Sequence, residues 1–70
     1  MSLIDLGYRL EVQDNSIRFS KNVDDGWVSI DIDRTMESVR FYVSKEIEYF
    51  FSKEELEALT KFLNERVIKV

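Results

Sequence analysis

Asp31 and Asp33 stand two residues apart in WVSIDID (27–33). In an extended chain, residues two apart share a face, with side chains ~7 Å from one another. Two carboxylates at that separation suit the flanks of a cation or of a scissile bond. A Mg²⁺ or Ca²⁺ site needs further oxygens, which Glu11 or Glu48 supply if their segments are neighbours. The plainer reading is a strand whose wet side carries both aspartates, paired with Arg18 and Arg40 across the sheet. Such pairs are ordinary and contribute ~0.2–1 kcal/mol each.

The rest of the chain favours the plain reading. It has no His and no Cys. That removes the commonest general base at neutral pH, the imidazole and thiolate metal ligands, and every disulfide. The Ser and Thr residues have no His to activate them, and the Lys residues are scattered along the chain. Gly7 and Gly26 are too isolated to build a phosphate loop, and NVDDG (22–26) lacks the spaced oxygens and terminal Glu of a calcium loop. These absences point to a protein that is not an enzyme and uses neither metal nor cofactor.

Trp27, Tyr42 and Phe50 form a second constellation. All three fall at outward positions of alternating segments and interleave with Arg9, Arg18 and Arg40. Aromatics among arginines on an open sheet can stack single-stranded nucleic acid. Trp, Tyr and Arg also anchor protein interfaces. The outward carboxylates Glu11, Asp31, Asp33, Glu46 and Glu48 exceed the three arginines by two, so this face carries about −2 and repels phosphate. The net charge of −4 points the same way and makes nucleic acid a disfavoured partner. The interface reading is therefore preferred, with Trp27, Tyr42, Phe50, Arg18 and Arg40 as the binding surface. Its simplest form is a homodimer that pairs two such faces. A host protein is the second candidate partner, and cover by the head MSLIDL or the tail VIKV is the intramolecular alternative.

The acidic cluster Glu46, Glu48, Glu54, Glu55 and Glu57 is the third feature. It can imitate a phosphate backbone and occupy a nucleic-acid-binding protein. It can equally be a solvated helix start, where acidic side chains favour the dipole.

Alternation positions these residues. YRLEVQ (8–13), SIRFSK (16–21), WVSIDID (27–33), SVRFYV (38–43) and EIEYFF (46–51) each have the period of a half-buried strand. The turns between them fall at 14–15, 22–26, 34–37 and 44–45. Tyr8, Leu10, Val12, Ile17, Phe19, Val28, Ile30, Ile32, Val39, Phe41, Val43, Ile47, Tyr49 and Phe51 then face inward. At Ser52 the period becomes helical. SKEE is a capping box with Glu55 at its third helical position. Leu56, Leu59, Phe62, Leu63 and Val67 share a face, while Glu54, Glu57, Lys61 and Glu65 stay wet. The expected fold is α+β: a four- to five-stranded antiparallel meander with one C-terminal amphipathic helix, over about 53–66, packed on one face.

Seventy residues make one small domain, 1–70, which buries only ~60% of its unfolded surface. Hydrophobic residues make up 44% of the chain, more than one helix on one sheet can hide, and this also favours a homodimer. No apolar run is long enough to span a membrane, and MSLIDLGYRL has no signal-peptide pattern, so the expected location is the cytoplasm. The bias towards Lys, Glu, Ile, Phe and Asn suits a small accessory protein of a phage or mobile element.

Overall fold

The computed structural model describes residues 1–45 and 47–68. Four alternating segments become β1 (Arg9–Val12), β2 (Ser16–Val23), β3 (Gly26–Asp33) and β4 (Val39–Val43). They form one antiparallel sheet in the order β1-β2-β3-β4, followed by α1 (Lys53–Ile68). The fold is the α+β meander with a C-terminal helix that the periodicity implies.

Each turn has a local cause. At the first hairpin the Gln13 N–H donates to the Ser16 carbonyl at 2.8 Å. Between β2 and β3 the turn is only Asp24 and Asp25, because Val23 already pairs with Gly26 and Asn22 with Trp27. Asp24 has φ of 50°, a left-handed conformation that Asp tolerates better than most residues. The turn is tighter than the stretch 22–26 expected. After β3, Asp33 organises the loop itself. Its carboxylate accepts from Thr35 Oγ1, the Glu37 N–H and Ser38 Oγ.

The centre of the sheet forms the core. Phe19, Val28, Ile30 and Ile32 are buried with Leu3, Tyr8, Ala58 and Leu59. Phe19 meets Phe62 of α1 edge to face, with centroids 5.1 Å apart. Fully burying side chains of this size stabilises by ~1.5–3 kcal/mol each. The head of the chain is neither strand nor tail. Residues 3–7 form turns, Tyr8 N–H donates to the Leu3 carbonyl, and Leu3 lines a cleft with Leu10, Phe19, Ala58 and Phe62. The head therefore docks on the helix side, not on the opposite face. Lys69 and Val70, the end of the tail VIKV, lie outside the described residues.

Two expectations need correction. First, 47–51 is not a strand. The chain leaves the sheet after β4, where Ser44 and Trp27 exchange two hydrogen bonds. Ile47 then folds over Gly26, and Phe51 meets Phe41 at 4.9 Å. On the helix side Ile47, Tyr49 and Phe51 reach the core, as their inward parity implies, although the backbone that carries them is not paired in the sheet. Secondly, Leu56 is 45% exposed and is not a core residue. Glu55 takes the inward position instead, which rotates the buried face of α1 to Ala58, Leu59, Phe62 and Leu63. The expected core position Val67 lies beyond the side chains described. As the surplus of apolar residues implies, one helix does not cover the whole sheet. Leu10 and Val12 on β1, and Phe41 and Val43 on β4, stay exposed at the two edges.

Candidate interaction face

The strand register arranges the open face, opposite α1, into rows that run across the sheet. One row is Glu11, Arg18, Asp31, Arg40, taken in order from β1 to β4. The next is Arg9, Ser20, Ser29, Tyr42, and beyond it Asn22 pairs with Trp27. Two serines side by side at the centre leave a depression. It is a groove of about 490 Å³ with Ser20 and Ser29 in its floor. Trp27, Tyr42, Arg9 and Arg18 rise around it. Trp27 is 45% exposed and Tyr42 38%, so both present apolar rings to solvent. Ser29 is buried beneath them.

The charged row is internally ordered. Arg18 Nε and Nη2 donate to the two oxygens of Asp31, both at 2.8 Å. This forked pair is the strong geometry for guanidinium and carboxylate, and the hydrogen bond and charge of Asp31 hold the Arg18 guanidinium above its ordinary pKa. Arg40 Nη1 donates to Tyr42 Oη at 3.3 Å, which braces the ring at the groove's end. Asp31 therefore pairs as the plain strand reading expects. Asp33 does not pair with an arginine. It is committed to the loop at 35–38, and the Ser38 hydroxyl leads the donors that hold its carboxyl at about 2. The two aspartates thus face different partners. Among the described residues, no three side chains of metal-ligating type converge.

The structure separates the remaining candidate residues. Trp27, Tyr42, Arg18 and Arg40 lie on one face. Phe50 does not join them, because 47–51 runs on the helix side, where Phe50 is 82% exposed. Glu48 leaves the face for the same reason, and Glu46 lies outside the described residues. The surplus of two carboxylates therefore disappears. Arg9, Arg18 and Arg40 stand against Glu11 and Asp31, with Asp33 turned to its loop.

The acidic cluster also changes. Glu48, Glu54 and Glu57 are exposed, but Glu55 is 3% exposed and belongs to the core. Its Oε2 accepts from Tyr8 Oη at 2.7 Å and Tyr49 Oη at 2.6 Å, and lies 2.8 Å from Lys21 Nζ. Its Oε1 accepts from the Ser52 N–H at 2.7 Å, and Ser52 Oγ accepts from the Glu55 N–H, so the capping box forms as expected. Burial alone raises the Glu55 carboxyl. The Lys21 ammonium and the three hydrogen-bond donors outweigh it and hold the group at about 2. Burial, followed by the Glu55 contact, pushes the Tyr8 phenol well above its usual range. Lys21 lies 4.6 Å from the centre of the Tyr8 ring and is itself held charged by Glu55 against the pull of burial. A carboxylate with its lone pairs engaged and a pKa near 2 is a poor proton acceptor. This cluster pins α1 to β2 and to the segments at 8 and 49.

Sequence reasoning passed over Lys21, Ser20 and Ser29. Lys21 has the inward parity of Ile17 and Phe19, and an inward lysine requires a carboxylate opposite. The serine floor has no such signal, because it exists only through the register that sets Ser20 beside Ser29. Compared with known family models, curated proteins and solved structures, the chain matches none.

Proposed function

We propose that this chain is a non-enzymatic interaction module that self-associates through the open face of its sheet. One observation carries the reading. Trp27 and Tyr42 stay exposed around a groove while the head of the chain, the helix and 47–51 all pack on the other side. Aromatic side chains beside arginines, around a depression with a small-residue floor, are the usual anchors of protein contacts. The composition suits a small accessory protein of a phage or mobile element. Carboxylates alternate with arginines along the charged row of this face, which favours a protein over nucleic acid as its ligand. Loss of Glu55 to the core likewise weakens the acidic-decoy reading.

The test is the mass in solution between 10 µM and 1 mM, measured by light scattering for the wild type and Trp27→Ala. The wild type should grow heavier with concentration. Trp27→Ala should associate at least ~10-fold more weakly, as loss of an interface anchor does, with an unchanged circular dichroism spectrum. A wild type of monomer mass at 1 mM, or a variant that associates equally well, overturns the proposal.

A further inference from the structure

The charged row on the open face is its own complement. Read from β1 to β4 it runs Glu11, Arg18, Asp31, Arg40, with signs minus, plus, minus, plus. An even-numbered alternating row is antisymmetric about its centre. Reversed, it presents the opposite sign at every position. A two-fold axis that lies between two facing sheets, parallel to their strands and midway between β2 and β3, performs that reversal. We infer that the open face binds a second copy of this chain about that axis, with Glu11 facing the second copy's Arg40 at both ends of the row. This inference rests on the self-association reading and adds the arrangement.

The other rows fit the same axis. It sets Arg9 against the second copy's Tyr42, a cation over an aromatic ring. It sets Ser20 against Ser29, and Trp27 against Asn22. The serine floors leave room between the sheets for the two indoles. The central pairs need no rearrangement, since Arg18 and Asp31 already hold each other and meet the same pair in reverse. Aligned sheets pack with their strands ~30° apart. With strands ~4.8 Å apart, the ends of the row lie about 7 Å from the axis, so the twist moves them by only ~4 Å, within reach of Arg and Glu side chains. An axis across the strands either brings the charged row over other rows or, where it runs along the row, sets each charge over its own copy, and loses the match both ways.

The contact is small. Four strands ~4.8 Å apart and up to eight residues of ~3.3 Å give a footprint of roughly 400–500 Å² per copy, below the ~800 Å² of a standard interface. The dimer is therefore weak and reversible, and the test must reach 1 mM.

The test uses Glu11→Arg, Arg40→Glu and their equimolar mixture, followed by sedimentation equilibrium. Each variant alone sets like charges together at both ends and should associate at least ~10-fold more weakly than the wild type. The mixture restores opposite charges at both ends and should recover association to within a few-fold of the wild type. Net charge alone predicts otherwise, since Glu11→Arg brings the chain closer to neutrality and would strengthen association. Association of a single variant at wild-type strength, or a mixture no better than its components, overturns this arrangement and leaves self-association standing. A wild type that is monomeric at 1 mM overturns both readings, and quenching of Trp27 by an oligonucleotide would then assign the face to another ligand. Circular dichroism checks folding. If a reversed variant fails to fold, Glu11→Gln and Arg40→Gln carry the test. Each should weaken association several-fold, with partial recovery on mixing because the mixed dimer regains one of the two Glu11–Arg40 contacts, and no weakening overturns the arrangement.

Discussion

Replacing Glu55 with glutamine removes one negative charge with almost no change in volume, and the groups around it set the cost. Lys21 Nζ, 2.8 Å from the carboxylate, keeps its charge and loses its counter-ion in a site where its side chain is largely covered. Tyr8 and Tyr49 lose a charged acceptor and compete for one amide oxygen. The amide also presents donors towards groups that are themselves donors. Breaking one side of a buried ion pair costs ~3–5 kcal/mol, and each hydrogen bond to a charged group contributes ~1.5–3 kcal/mol. Lys21 retains some access to water, so the lower end applies, about 3 kcal/mol. A domain of this size has roughly 4–10 kcal/mol of stability in total. Urea titration followed by Trp27 fluorescence and by circular dichroism should therefore show Glu55→Gln losing a large part of its stability at neutral pH. Adding Lys21→Met should restore part of the loss, because removing both partners leaves no unpaired buried charge. A Glu55→Gln variant within 1 kcal/mol of the wild type would refute the claim that this cluster holds the helix to the sheet.

The same structure has further consequences. The Glu55 carboxyl binds its proton less readily in the folded chain than in the unfolded one, near 2 against 4.5, so its stabilisation is complete above about pH 5.5. It should be lost as the pH falls towards 2, at a cost of roughly 3 kcal/mol, and the pH profile of Glu55→Gln should be correspondingly flatter. Asp33, also held at about 2, should leave a residual acid dependence in that variant, visible as a shift in midpoint on adding Asp33→Asn. A Cβ at Gly26 would run into Ser44 Oγ and the Ile47 side chain, so Gly26→Ala should cost ~1–3 kcal/mol in urea titration. Phe50→Ser should leave stability within ~0.5 kcal/mol and leave self-association unchanged, since the ring is exposed on the helix side and touches neither core nor open face.

How much of this was legible in the sequence varied with the physics involved. Strict alternation located all four strands, since a period of two has few competing explanations. The capping box at Ser52 located the helix start. Alternation misled at 46–51, because Ile47, Tyr49 and Phe51 alternate equally well in a coil whose inward side chains seek the core. Leu56 was misplaced because a helical stripe tolerates rotation, and only the partners of Glu55 fix its angle. Glu55 itself was hidden by its position. An acidic residue at the third position of a helix is expected in solvent, and here it also had Lys21, Tyr8 and Tyr49 around it. On the open face, Trp27 and Tyr42 were legible from strand parity. The groove and the alternating row were not, because both depend on which residue of β2 stands beside which residue of β3.

The central claim is that the open sheet face is where this chain meets its own copy. Amide chemical shifts recorded by NMR from 20 µM to 1 mM test it most directly, since they locate the contact residue by residue. Concentration-dependent shifts should appear at Arg9, Glu11, Ser20, Ser29, Arg40 and Tyr42, with Leu56, Thr60 and Lys61 on the exposed side of the helix unchanged. Shifts confined to the helix, or none at any position up to 1 mM, would contradict the claim.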